Sequence, residues 1–345
     1  MSYTRKSKEA QLHPLISSAI FLFVLIISTF TIVINSPLIY GQTNQTITNA
    51  DLLNIQDIPV KKVHVGDIDI AYKVFGKGDP ILLISPAQGD MNLWDPSLLN
   101  VLSSNHTVIV FDNRGVGNTT TGNEPFSIQQ FAIDTAGLLD ALKIQKTDVL
   151  GYSLGSLVSQ QLAVTHPEKV NRLILLASSC GGKDSIPPSP EIVKMVIGVI
   201  NKIANETAVT PQEVKALMSA GLGSGWLKAH PNFFETIPIP EAKDLFHSIT
   251  PKNNLQQLKA AGDWMATNWS GVCDELTKLS IPVLIMTGTD DTNVPTPNSL
   301  IIAGKIPGAW LIQIKDAGHN LPGQYPDKIN KILQTFLSTT STPPS

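Results

Sequence analysis

Hydrophobic positions along this chain fall into three patterns. From residue 10 to residue 50 there is no Asp, Glu, Lys or Arg, and residues 15–34 read LISSAIFLFVLIISTFTIVI. About twenty residues of this kind match the thickness of a bilayer core at a rise of about 1.5 Å per residue. Beyond residue 60 the pattern changes to short apolar runs. Residues 63–65 and 68–75 read as a hairpin pair turning at Gly66-Asp67. Continuous runs follow at 81–84, 108–111, 149–152, 173–177, 283–286 and 310–314. Runs without polar alternation fit parallel strands that are covered on both faces. The third pattern is helical: Ile128, Phe131, Leu138, Leu139 and Leu142 fall mostly on one face, and a second helix over 154–165 ends near His166-Pro167. Strand–helix–strand alternation predicts an α/β fold with a doubly wound, mostly parallel sheet.

The alternation lapses between about residues 182 and 272. Pro187, Pro188 and Pro190 open that stretch. Four helix-like segments follow at 191–204, 211–220, 226–234 and 255–267. The expected organisation is a signal anchor or signal peptide over 1–41, a polar linker over 42–60, a core over 61–182 and 273–338, and a helical cap inserted over 183–272. Arg5, Lys6 and Lys8 precede the first apolar segment and no basic cluster follows it closely. The positive-inside rule then keeps the N-terminus in the cytoplasm and carries the body across the membrane. Cleavage near Tyr40-Gly41-Gln42 would release that body; retention would anchor it by an N-terminal transmembrane helix. Both readings make the protein extracytoplasmic.

Composition narrows the classes further. Hydrophobic residues make up 42% and charged residues 15%, with a formal net charge of −3, which excludes a disordered chain. No Lys/Arg excess points to nucleic acid. Two cysteines, Cys180 and Cys273, are too few for a disulfide scaffold or a cysteine-only zinc site. They bracket the insertion, where they could pair at its base in an oxidising compartment or stay as two buried thiols. No HExxH or CxxC is present, so neither a metal nor a cofactor is expected. The segment 221–225, GLGSG, has no preceding strand, which rules out a dinucleotide loop.

Gly151-Tyr152-Ser153-Leu154-Gly155 fits G-x-S-x-G between an apolar strand and a helix. The two glycines permit a sharp turn that projects the Ser153 hydroxyl from the sheet edge. A serine nucleophile needs a base. Of the seven histidines, only His319 follows a late strand in a Gly-flanked loop, 316–320, DAGHN. A third member should orient the imidazole, and Asp290 and Asp291 compete for that role just after the run at 283–286. With Asp291, the order Ser153, Asp291, His319 is the Ser–Asp–His order.

These segments, with 112–117 (DNRGVG), 288–295 (GTDDTNVP) and Gly318-His319, carry a resemblance. Residues 62–337 resemble the α/β-hydrolase-fold serine hydrolases that have a helical cap after the sixth strand. The resemblance puts the acid on Asp291 and implies an oxyanion hole made by the backbone N–H groups of Leu154 and Ala87. It departs from the family pattern at Ser85-Pro86, where members usually carry His-Gly. Proline 86 lacks an N–H, but the donor required lies one residue later. Ser153 also argues against the relatives on this fold that use an Asp nucleophile, the haloalkane dehalogenases and epoxide hydrolases.

The expected activity is hydrolysis of a small-molecule ester or similar carbonyl substrate through an acyl-enzyme. Two other readings use the same residues: a non-catalytic ligand-binding protein, and an acyltransferase with an acceptor other than water. Trp226, Phe233, Phe234, Trp264 and Trp269 are candidates for lining an acyl pocket or for packing the insertion onto the core. The sequence leaves the substrate and the oligomeric state open.

Overall fold

The apolar runs fold into one eight-stranded sheet in the order β1-β2-β4-β3-β5-β6-β7-β8. The computed structural model describes residues 53–339. The strands are β1 (Lys61–Val65), β2 (Ile68–Gly76), β3 (Asp79–Ile84), β4 (His106–Phe111), β5 (Thr147–Tyr152), β6 (Val170–Leu176), β7 (Val283–Gly288) and β8 (Trp310–Ile314). β1 pairs antiparallel with β2, and β2 with β4; every other pairing is parallel. The sheet is therefore mostly parallel, and its antiparallel edge is the hairpin at Gly66-Asp67.

Continuous apolar runs are required because both faces are covered. In β3, Leu82 and Ile84 pack with the helices Ile128–Ala141 and Leu154–Thr165 on one face. Ile81 and Leu83 pack with the helices Pro96–Ser103 and Pro326–Leu337 on the other. All four side chains are buried. Each removes roughly 1.5–3 kcal/mol worth of apolar surface from water, so a polar residue at either parity would be costly.

Between β6 and β7 the chain is helical, with Pro190–Ala204, Pro211–Gly221, Ser224–Ala229, Phe233–Thr236, Ala242–Leu245, Pro251–Met265 and Cys273–Leu276. The segment read as one helix over 226–234 is two. His230, Pro231 and Asn232 separate them, and proline cannot continue the backbone ladder. The last long helix starts at Pro251 rather than 255, because Thr250 caps it by accepting from Asn253 N–H, with proline at its first turn. These helices share an apolar cluster of their own, centred on Val196, Ile200, Leu217, Phe246 and Leu258.

Cys180 and Cys273 form a disulfide with Cα atoms 5.1 Å apart. It closes the base of the helical insertion, where Val272 N–H also donates to Cys180 O at 2.9 Å. Among the described residues no helix is long and apolar enough to cross a membrane. The apolar segment 15–34 lies outside the described residues.

Candidate active site

The turn between β5 and the helix Leu154–Thr165 holds Ser153 at φ 55°, ψ −120°, in the positive-φ region that side chains rarely adopt. Two close approaches fix this geometry. A Cβ on Gly151 would lie 2.3 Å from Gly155 O, and a Cβ on Gly155 would lie 2.0 Å from Ile84 O. The motif's glycines therefore let the start of the helix press against the end of β3.

His319 follows β8, and its Nε2 is 2.8 Å from Ser153 Oγ. Its Nδ1 is 2.8 Å from Asp291 Oδ2. Asp291 follows β7, and its other oxygen accepts from the N–H groups of Asn293 and Val294, each at 2.9 Å. Facing a carboxylate that can only accept, Nδ1 carries a proton, so Nε2 is free to accept from the serine hydroxyl. Ser153 and His319 are both 0% exposed, which keeps water from competing for these bonds.

The neighbouring Asp290 does something else. Its Oδ2 accepts from Ser224 Oγ at 2.8 Å and Gly225 N–H at 2.9 Å, at the start of the helix Ser224–Ala229. Gly225 N–H and Ser224 hold the Asp290 carboxyl below its ordinary range, since both bonds favour the charged form. Asp290 thus ties the insertion to the loop that carries Asp291. The glycines of 221–225 serve the same joint, because a Cβ on Gly223 would lie 1.9 Å from Asp316 O, in the loop before His319.

The N–H groups of Leu154 and Ala87 have no hydrogen-bond partner among the described residues. Leu154 is the first residue of its helix, whose leading N–H groups have no intrahelical acceptor. Ala87 sits in the loop after β3, where Gly89 N–H donates back to Pro86 O at 3.2 Å. The proline thus occupies a turn position where its own missing N–H is of no consequence.

Two features of this neighbourhood carry little sequence signal. Tyr152, the variable residue of the motif, donates its hydroxyl to His319 O at 2.9 Å. This bond links the serine turn to the histidine loop. Burial, with Asp291 nearby, pushes the phenol far above its usual range, so it stays a donor. Gln88, beside Ala87, adopts φ 70°, and its backbone N–H donates to Gln257 Oε1 at 2.9 Å. Neither a tyrosine in G-x-S-x-G nor a glutamine beside an oxyanion loop announces such a partner.

The loop 112–117 is structural. Asp112 accepts from Met91 N–H at 2.7 Å and Asn118 N–H at 2.8 Å, and Arg114 is bonded to Asp67 and Asp134. Burial raises Asp112 to about 6 against the lowering effect of those two bonds. The candidate aromatics mostly pack helices: Trp264 donates to Ser179 O at 3.1 Å within the core, Trp226 stacks on His230 at 4.1 Å, and Phe233 and Phe234 border the insertion's apolar cluster. No group of His, Cys, Asp or Glu among the described residues could hold a metal ion.

A family model described as the alpha/beta hydrolase fold matches residues 79–324. The chain is 27% identical over 258 residues to a poly(3-hydroxyalkanoate) depolymerase of Ectopseudomonas oleovorans, covering 75% of this chain and 84% of that protein. It is 24% identical over 275 residues to 3-oxoadipate enol-lactonase 2 of Acinetobacter baylyi, covering 79% and 94%. Among solved structures it resembles the enol-lactonase of Burkholderia xenovorans in fold, at a TM-score of 0.64 and 22% identity. That match covers 81% of this chain and 100% of the other.

Proposed function

The chain belongs to the α/β-hydrolase family, and from that premise we propose that it is a serine hydrolase of carboxylic esters, working through an acyl-enzyme. The observation that carries this reading is the buried chain of hydrogen bonds from Asp291 through His319 to Ser153, each link 2.8 Å. Relatives named as a 3-oxoadipate enol-lactonase and a poly(3-hydroxyalkanoate) depolymerase support an ester substrate, and relatives named as carbamate hydrolases keep the related carbamate carbonyl as the alternative.

Ser153 Oγ attacks the ester carbonyl carbon while its proton passes to His319 Nε2. The carbonyl oxygen becomes an oxyanion that accepts hydrogen bonds from the Leu154 and Ala87 N–H groups. Collapse of this intermediate breaks the bond to the alkoxy oxygen, and His319 returns the proton to it, releasing the alcohol. Water then attacks the acyl-enzyme, gives its proton to His319 Nε2, and the second collapse frees the acid and restores the Ser153 hydroxyl. Throughout, Asp291 holds Nδ1–H and stabilises the imidazolium that forms twice per cycle.

The body acts outside the cytoplasm, anchored by or released from the segment at 15–34. The Cys180–Cys273 disulfide supports this location, since such bonds persist in oxidising compartments. A fluorophosphonate probe tests the activity. Wild-type protein is labelled and Ser153→Ala is not; equal labelling of both, or of neither, refutes the serine nucleophile.

A further inference from the structure

Above the oxyanion loop lies a set of three buried amides that the mechanism does not use. Gln88 comes from that loop; Asn254 and Gln257 come from the helix Pro251–Met265, one turn apart. Each is no more than 1% exposed. Gln88 N–H donates to Gln257 Oε1 at 2.9 Å, and Gln88 Nε2 donates to Asn254 Oδ1 at 2.8 Å. Asn253, beside them, anchors the helix by donating from Nδ2 to Gly115 O at 3.0 Å.

Three polar atoms of the set remain buried without a partner among the described residues: Gln88 Oε1, Asn254 Nδ2 and Gln257 Nε2. Exchanging O and N in both Gln88 and Asn254 still leaves two donors and one acceptor. Such groups cost roughly 1–3 kcal/mol each when left unmet. The Gln88 backbone is also held at a cost, since it takes a positive φ that favours glycine.

We propose that Gln88, Asn254 and Gln257 form a recognition site for a hydroxyl group on the acyl chain of the substrate. A hydroxyl oxygen accepts two hydrogen bonds and donates one, which matches two N–H donors and one carbonyl acceptor. No charged side chain is hydrogen-bonded to the three amides, so a carboxylate or ammonium there would be buried without a counter-ion. The site therefore takes an uncharged group. Its position follows from the chain: Gln88 is the residue after Ala87, about 3.8 Å on along the backbone. The site thus adjoins the oxyanion loop, and a 3-hydroxyacyl ester presents such a hydroxyl close to the scissile carbonyl. This assignment rests on the ester-hydrolase reading for the direction of the acyl chain, but the three amides and their unmet valences do not.

The test compares p-nitrophenyl 3-hydroxybutyrate with p-nitrophenyl butyrate, which differ by one hydroxyl. Full-length Ser153→Ala, which cannot turn them over, should bind the hydroxy ester at least about tenfold more tightly by calorimetry. Adding Gln257→Leu or Gln88→Gly should bring the ratio below about threefold. Gln88→Gly keeps the protein falsifiable against misfolding, because glycine relieves the positive φ. Equal binding of the two esters, no binding of either, or a ratio untouched by Gln88→Gly overturns the site. Tenfold discrimination by Ser153→Ala with no turnover of either ester by wild type would keep the hydroxyl site and refute the hydrolase. Turnover of both esters with equal binding would do the reverse.

Discussion

Reducing the Cys180–Cys273 bond should loosen the base of the insertion, and its worth can be worked from the chain. The two cysteines are 93 residues apart in sequence. In the chain-entropy model, closing a loop of that length removes about 15–16 cal/mol/K from the unfolded state, or about 4.6 kcal/mol at 25 °C. Native strain reduces that figure, but the Cα separation of 5.1 Å lies in the usual range. The native side is well packed, with Cys273 fully buried and a Cβ on Gly182 only 2.1 Å from Gly271 N. At about 2–4 °C per kcal/mol for a domain of this size, the loss amounts to a fall in Tm of about 10 °C or more. The assay is urea unfolding of the wild type and of the Cys180→Ala/Cys273→Ala double variant, each with and without dithiothreitol. Reductant should lower the midpoint of the wild type and leave that of the double variant unchanged. A wild-type midpoint indifferent to reductant, or two thiols titrating in the unfolded oxidised protein, would refute the reasoning.

Asp291→Asn should lower kcat by about 10⁴-fold, because an asparagine no longer fixes the imidazole tautomer. Asp290→Ala should leave kcat within a few-fold and cost about 0.5–2 kcal/mol of stability, as for a lost helix cap; a kcat loss comparable to that of Asp291→Asn would sink the division of roles. Tyr152→Phe removes the donor to His319 O and should lower both Tm and kcat, at about 1–3 kcal/mol for the buried carbonyl left unmet; steady-state kinetics and calorimetry that match wild type would exclude a positioning role. Asp112, raised to about 6 chiefly by burial, keeps its proton in the folded chain where the unfolded chain has lost it. Between about pH 4 and 6 its contribution to stability therefore falls as pH rises, by about 3 kcal/mol in all. Carboxyl carbon NMR should show this group titrating near pH 6, and a midpoint below 4.5 would contradict the burial account.

The strands and the candidate site residues were legible in different ways. All eight apolar runs emerge as strands; in the central ones, β3, β5, β6 and β7, burial on both faces of the parallel sheet leaves no polar alternation. Ser153 and His319 were readable from local rules, a strained Gly-flanked turn and a Gly-flanked loop after a late strand. The segment 226–234 reads as a single helix from its apolar content, whereas Pro231 marks the break at 230–232. Composition left the cysteines open, since pairing depends on where two segments 93 residues apart come to lie.

The sequence by itself determined the sheet, the order of Ser153, Asp291 and His319, and the oxyanion candidates Leu154 and Ala87. Each follows from short-range pattern or from family motif. The resemblance put the acid on Asp291, and the tertiary structure added where each carboxylate goes, one to the imidazole and the other to the helix Ser224–Ala229. It alone joined Tyr152 to the histidine loop and gathered Gln88, Asn254 and Gln257, whose contacts span 166 to 169 residues of chain. The reason is physical. A backbone turn or an apolar run is fixed by neighbours a few positions away. The partner of a buried polar side chain is instead fixed by the packing of the whole molecule, which no local spacing encodes.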